Sequence, residues 1–411
     1  MTGIIDPKLK EYAFTVKDFT EINGDGVNVR VKKDGVFPAF YRGEKKSNSM
    51  IVTEPLFYYQ AGSNEYVYCK NKYIFRLNTG SFVSTSKFNS RPEQVTVEND
   101  GESYEFFVSS NLTYSVNGIT TFPFKGTSAI VFYDSLFVIE NGEVKFSEPF
   151  GFLDGDGKLK TDGFYRPEEP LKSALRFARD FDKLYILCEK GIVTVEAKGN
   201  FTDYTFKGTE RKEQNITENS HYSFGDKLFF LENGSFCVYD GGKFKKYDTV
   251  LKNREYTVSK EPYVFNDYYL AEVTVTGVGV RTLAVNYRTG ESFYLSFDGY
   301  FYCGSGLVEY INDRAFYRVS EVSGEPLGDS AYSFSTELDA SGRKKITEIS
   351  GYVDGEVLVT VNGESGSFTA TIEGGRFNKK VGVSSEEFGF SFSGERPFAL
   401  KDLKIKYVTG E

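Results

Sequence analysis

One histidine, His221, stands in a chain of 411 residues. Any Ser-His-Asp or Cys-His arrangement would depend on it alone. It lies in the strand-like stretch "ENSHYSFGDKLFF" with no G-x-S-x-G turn beside it, so a structural histidine is expected. Zinc sites built from several His are excluded. Cys69, Cys188, Cys237 and Cys303 lie far apart among apolar or aromatic neighbours, and no C-x-x-C occurs. Small buried reduced thiols are the expectation, with one disulfide between distant segments left open. No phosphate-binding G-x-x-x-x-G-K-[ST] and no dinucleotide G-x-G-x-x-G after a strand appears.

The acidic residues offer one metal hypothesis. "FLDGDGKLKTDG" alternates Asp154 and Asp156, with Asp162 further on, as calcium loops do. The third ligand position, however, is Lys158, and no Glu closes a twelve-residue loop, so a turn between structural units is expected. A glycosidase needs only two suitably spaced carboxylates. The 58 Asp and Glu residues permit that, but nothing selects a pair. No catalytic, cofactor-binding or metal-ligating residue is therefore assigned, and no cofactor is expected.

Composition points to the scaffold instead. There are 39 Phe, 29 Tyr, 41 Gly and no Trp, a mixture that favours strands joined by tight turns. The net charge of −9 argues against a dedicated nucleic-acid binder. The N-terminus carries Asp6, Lys8, Lys10 and Glu11 where a signal peptide needs an apolar run. No apolar stretch approaches the ~18 residues of a membrane helix. Synthesis and folding in a cytoplasm are expected.

The strands recur. Aligned on an Asp in a turn, "SAIVFYDSLFVIENGEVKF" (Asp134), "SALRFARDFDKLYILCEKGIVTV" (Asp182) and "SHYSFGDKLFFLENGSFCVY" (Asp226) follow one another. "PYVFNDYYLAEVTV" (Asp267) and "GLVEYINDRAFYRVSE" (Asp313) continue the series at intervals of 48, 44, 41 and 46 residues. That period, with several short strands per unit, is a propeller-blade spacing. Weaker copies near Asn64 and Asp100 bring the expected count to six or seven blades. Asn141-Gly142 and Asn233-Gly234 are strong two-residue hairpin signals. Four-residue apolar runs such as Leu228-Phe229-Phe230-Leu231 suit inner strands covered on both faces. The repeated Asp is expected to fix its turn by accepting backbone N–H groups two residues on. "EEPLKSALRFARDF" has Leu171, Ala174, Leu175 and Ala178 at helical spacing, but alignment with its sibling units favours a strand.

The ends depart from the period. From about residue 329, seven strand-like pieces such as "EVLVTVNG" and "EFGFSFSG" alternate apolar and polar residues, as in a small antiparallel sandwich. The first 50 residues carry turns at Gly24-Asp25-Gly26 and Asp34-Gly35 and a basic patch at Arg42, Lys45 and Lys46. They read equally as an arm that docks on another subunit or as strands completing the first blade. The expected organisation is an N-terminal arm or hairpin (1–52), a β-propeller (53–328) and a C-terminal β-sandwich (329–411).

Two successive segments, "LRFARDFDKLYILCEKGIVTVE" and "HYSFGDKLFFLENGSFCVYDGGKFKKYD", resemble the paired lines of tailed-bacteriophage packaged-DNA stabilization and tail-nozzle (hub) proteins. Tyr287-Arg288-Thr289-Gly290 is similar to the turn of a following blade in that family. "YSFSTELDASGRKKITEI" resembles the entry to its C-terminal sandwich, with Tyr332 at a position where Trp is usual. The resemblance covers about residues 125 to 411 and lies in pattern and module order. It implies a non-enzymatic virion protein, a head-to-tail connector or tail-nozzle component that plugs or extends the DNA exit channel. It further implies a homo-oligomeric ring whose partners are the portal, the adaptor and other tail proteins, with no sequence-specific nucleic acid and no membrane. A channel wall of like charge would not hold passing DNA through counterion release. A carbohydrate- or receptor-binding propeller is the alternative, since exposed Tyr and Phe can stack on sugars, although most aromatics here fall inside apolar runs. A propeller hydrolase ranks last.

Overall fold

The computed structural model describes residues 10–17, 19, 24–48, 53, 55–61, 64–77, 79–83, 86–99, 101–115, 120–198, 203–212, 214–296, 300–303, 306–311, 315–320 and 332–409. The chain is all-β. No helix among the described residues is long and apolar enough to cross a membrane. The N-terminal strands are β1 (Lys10–Thr15), β2 (Gly24–Val27), β3 (Val29–Lys32), β4 (Gly35–Pro38) and β5 (Tyr41–Asn48).

A series of antiparallel meanders follows. The first, of three strands, comprises β6 (Pro55–Ala61), β7 (Asn64–Cys69) and β8 (Ile74–Arg76). Next come β9 (Glu93–Asn99), β10 (Glu102–Val108), β11 (Thr113–Ser115) and β12 (Thr120–Phe122). The third has β13 (Ser128–Phe132), β14 (Ser135–Glu140), β15 (Glu143–Ser147) and β16 (Thr161–Tyr165). The fourth has β17 (Ala174–Arg179), β18 (Lys183–Cys188), β19 (Gly191–Lys198) and β20 (Asp203–Glu210). The fifth has β21 (Tyr222–Phe224), β22 (Lys227–Glu232), β23 (Ser235–Asp240) and β24 (Lys243–Asp248). The sixth is β25 (Tyr256–Phe265), β26 (Tyr268–Val275), β27 (Gly279–Asn286) and β28 (Ser292–Leu295). The seventh is β29 (Tyr300–Cys303), β30 (Gly306–Ile311) and β31 (Ala315–Ser320), and β5 from the N-terminal segment pairs with β31 as its fourth strand.

These sheets make a β-propeller in which five blades stand as separate four-stranded sheets. The first strands of successive meanders lie side by side: β9 with β13, β13 with β17, β17 with β21, β21 with β25, β25 with β29, and β29 with β6. Six or seven blades were expected from the period. The β6–β8 sheet lacks a fourth strand, and β25–β28 continue into the C-terminal sheet through β2, so neither is a free-standing four-stranded blade.

Local sequence explains two of the hairpins directly. Asn141-Gly142 and Asn233-Gly234 have positive φ at both residues, the backbone that a two-residue turn needs to match strand twist. The segment Ala174–Arg179 is a strand, not a helix, with Ala174 and Ala178 buried. Leu228, Phe229, Phe230 and Leu231 are all fully buried because blades cover both faces of this strand. Each side chain contributes about 1.5–3 kcal/mol by leaving water. The apolar clusters span neighbouring blades. One joins Phe137 and Ile139 to Phe177 and Ile186, and another joins Tyr185 and Leu187 to Leu228 and Phe230. A blade alone would expose one of these faces, and stacking removes both from water.

The repeated Asp residues do sit in turns, but two of them are held differently from expectation. Asp226 is bonded by Lys227 Nζ at 2.6 Å, and Asp267 accepts the Tyr287 hydroxyl at 3.0 Å and pairs with Arg288 at 3.0 Å. Side-chain cations and a phenol therefore replace the backbone N–H groups. Asp313 lies outside the described residues.

The C-terminal part is built from β32 (Tyr332–Gly363), β33 (Gly366–Gly394) and β34 (Ala399–Thr409). The first two form one long hairpin bent back on itself, so Leu358 pairs with both Thr371 and Ser393. The alternating residues Val357, Val359, Val361, Phe388, Phe390 and Phe392 are buried in one core. The N-terminal segment is not a separate arm. β1 pairs along β34, β2 pairs with β32, and Val16, Phe19, Val29 and Val36 enter the same C-terminal core. Nor does it complete the first blade, since β5 completes the last. Asn28, fully buried at φ 60°, links this segment to the sixth meander: its N–H bonds Tyr294 O at 2.8 Å and its amide bonds Ser296 twice. Open edges of β31 and β34 supply the unpaired backbone groups that β5 and β1 satisfy.

Candidate functional site

Polar chemistry concentrates where the first strands of the blades meet. Glu93 opens β9, Arg176 lies on β17, and His221 immediately precedes β21. The Arg176 side chain is 4% exposed and pairs with Glu93 through Nη1. Its Nε–H donates to His221 Nδ1 at 3.2 Å. The other carboxylate oxygen of Glu93 accepts from Ser128 Oγ at 3.0 Å and from the Ala129 N–H at 2.7 Å, both on β13. Ser128 Oγ in turn accepts the Phe177 N–H at 3.3 Å. Groups from two further meanders thus share the Glu93 carboxylate. An ion pair this deep is tolerable only when its remaining lone pairs and protons are bonded in this way.

A second arginine extends the network across the axis. Arg91 Nε pairs with Glu261 at 2.9 Å, and its Nη1 donates to the Pro262 carbonyl at 2.8 Å on β25. Its guanidinium lies 4.3 Å from the Phe57 ring centre and 5.1 Å from that of Tyr222. Such stacking suits the planar, weakly hydrated arginine cation. Tyr59 on β6 donates its hydroxyl to Pro92 O at 2.6 Å. Burial pushes the Arg91 cation down, but Glu261 and its other neighbours outweigh that and raise it overall.

His221 is held as neutral imidazole. Burial lowers its pKa first and the Arg176 and Arg91 charges lower it further, to about 3. Because Nδ1 accepts from Arg176, the ring proton belongs on Nε2. A group with this pKa does not exchange protons near neutrality, so it is poorly suited to general acid–base work. The buried thiols are likewise poorly nucleophilic. Burial, with the Glu189 charge for Cys188 and the Glu232 charge for Cys237, raises both to about 12, where the reactive thiolate is scarce. Cys69, Cys188 and Cys237 are buried, and the side chain of Cys303 lies outside the described residues.

The network floors a cavity of about 670 Å³, lined by Tyr59, Arg91, Thr96, Arg176, Arg179 and Tyr222 among others. A second, larger cleft of about 1690 Å³ runs between Asp248–Arg254 and the C-terminal residues Glu337, Glu364, Glu386 and Glu387.

The acidic loop suggested for calcium is a turn. Asp154 Oδ1 accepts the N–H groups of Asp156 at 2.9 Å and Lys158 at 2.8 Å, and Asp156 lies 3.6 Å from Lys158 Nζ. Asp162 falls on the separate strand β16. Among the described residues no three His, Cys, Asp or Glu side chains are grouped to hold a metal ion. His221, singled out in the sequence, does reach the axis. Arg91, Glu93 and Arg176 were not singled out. Their one available signal was position at the first strand of each unit, "RPEQVTV" and "ALRFAR", where a charge facing the axis interrupts apolar residues.

No protein-family model matches the chain, and no curated protein matches it. Among solved structures, BamB from Moraxella catarrhalis is similar at 11% identity and a TM-score of 0.40, over 71% of this chain and 96% of that one. The extracellular domain of a one-component system from B. thetaiotaomicron aligns at 8% identity and a TM-score of 0.47, over 84% of this chain and 57% of its own. The computationally designed Ika8 protein aligns at 10% identity and a TM-score of 0.36, over 72% of this chain and 96% of that one. Nothing about activity or partners carries across at these scores. The sheets themselves identify an all-β chain with a β-propeller.

Proposed function

We propose that this chain is a non-enzymatic structural component of a tailed-phage virion, a head-to-tail connector or tail-nozzle protein. The observation that carries the reading is the placement of the phage-like segments. They fall on β17–β19, on β21–β24, and on the β27–β28 turn at Tyr287-Arg288-Thr289-Gly290, then on the start of β32. Consecutive sheets and the following module thus keep the order that the resemblance implies. The pKa values of His221 and of the buried thiols support a structural role over a catalytic one.

In this reading the β6–β8 sheet and the β25–β28 meander count as blades, which makes a seven-bladed ring with β5 closing it. The bent β32–β33 hairpin is a sandwich whose two layers share the core around Val359 and Phe390. The protein acts in the virion as a homo-oligomeric ring against portal or adaptor.

Mass spectrometry of purified particles tests this reading. The chain is expected at a copy number that matches a tail ring, and particles lacking it are expected to lose packaged DNA or tail assembly. Its absence from infectious particles would overturn the assignment.

A further inference from the structure

The axial cavity has an uneven charge. Three guanidiniums and one carboxylate line it. Arg176 is matched by Glu93, and Arg91 by Glu261. Both oxygens of Glu93 are already engaged. Arg179, at the end of β17, is exposed; its Nη1 donates to the neutral Val131 carbonyl at 2.9 Å, and among the described residues no carboxylate forms an ion pair with it. Its guanidinium therefore leaves one positive charge facing a partly enclosed space, with donors to spare. Fields focus in such a cleft and favour an anion.

The remaining walls suit a ring. Tyr59 and Tyr222 line the interior, and the volume of about 670 Å³ falls in the range of roughly 300–1,000 Å³ typical of small-molecule sites. The edge of the cavity includes Ser223 and Gly225. Phe224, 43% exposed, and Phe181, 88% exposed, are neighbours of the lining residues in sequence but lie outside the cavity wall. The Arg179 N–H bonds Gly225 O at 3.3 Å, which ties the two turns together. The Tyr59 and Tyr222 rings in the wall offer a surface for a flat or pyranose face, with Arg179 as the carboxylate anchor.

We infer that the axial cavity is a binding site for a small organic acid, a six-membered ring bearing one carboxylate, anchored by Arg179. The site is independent of the virion role: a tail component could lack it, and a protein of another role could carry it. A uronic sugar and an aromatic acid share this chemistry, and the experiment separates them.

Isothermal titration and saturation-transfer NMR on the full chain would use D-glucuronate and benzoate as probes, with D-glucose and acetate as controls. Saturable binding of one ring acid at millimolar concentration or below is expected, with glucose and acetate at least about tenfold weaker. Arg179→Ala should weaken that binding about tenfold or more, and Arg179→Lys should restore part of it. Thr96→Glu, at an exposed wall position, should weaken it without touching the anchor. The source is a sugar if glucuronate binds more tightly and an aromatic acid if benzoate does. Saturation by neither ring acid, equal affinity for glucose or acetate, or an unchanged affinity in a folded Arg179→Ala variant would overturn the inference.

Discussion

Arg176 Nε donates to Nδ1 of His221 at 3.2 Å across two blades, and this contact fixes the protonation state of the only histidine. An imidazole that accepts from a cation cannot also carry a proton on that nitrogen.

A pH dependence follows. The unfolded histidine titrates near its usual value of about 6.5, whereas the folded one titrates at about 3. Between these values the unfolded chain binds a proton that the folded chain refuses, so stability falls as pH drops through that window. The upper bound is about 1.4 kcal/mol per pH unit. His221→Gln keeps an acceptor for Arg176 but cannot titrate. Urea unfolding at pH 6.5 and at pH 4.5 should show a smaller acid loss for the variant than for the parent, and equal losses would contradict the burial assigned to His221.

The Glu93–Arg176 pair predicts strong non-additivity. Glu93→Ala leaves a buried guanidinium unmatched and also strips acceptors from Ser128 and Ala129. A loss of about 3–5 kcal/mol is expected. Arg176→Met alone should cost a similar amount. The double variant Glu93→Ala with Arg176→Met should recover much of the sum, because no isolated charge remains. A double-mutant cycle in urea with additive losses would show that the two groups do not act as a pair.

The thiols provide a test of burial. Cys188 and Cys237 are raised to about 12 and packed among apolar side chains. Iodoacetamide at pH 8 should leave both unmodified in the native protein and alkylate both in urea, as read by peptide mapping. Native alkylation at the rate of a free thiol would contradict the packing of these blades.

Local features were legible in the sequence because a few adjacent residues determine them. Asn233-Gly234 specifies its turn, and the apolar run at Leu228–Leu231 specifies a strand covered on both faces. Sibling alignment recovered β17 against its helical spacing, since the tertiary fit of a blade outweighs the modest propensities of Ala174 and Ala178. What the sequence did not display depends on distant partners. The pairing of Tyr41 with Ser320, or of Tyr12 with Tyr407, has no local signature; the N-terminal strands are short and polar and read equally well as an arm. The axial network was hidden for the same reason. Arg91, Glu93, Arg176 and Glu261 converge only once the blades curl round a common axis, and nothing in their immediate neighbours announces it.

Closure of the ring by the N-terminal strand is the claim that everything else presupposes, and hydrogen–deuterium exchange with mass spectrometry tests it most directly. The backbone of Tyr41–Asn48 should exchange as slowly as its partner strand Ala315–Ser320, and both should open together with the global unfolding of the propeller. Rapid exchange across 41–48 while 315–320 stays protected would show that the last blade is closed by something else or not closed at all.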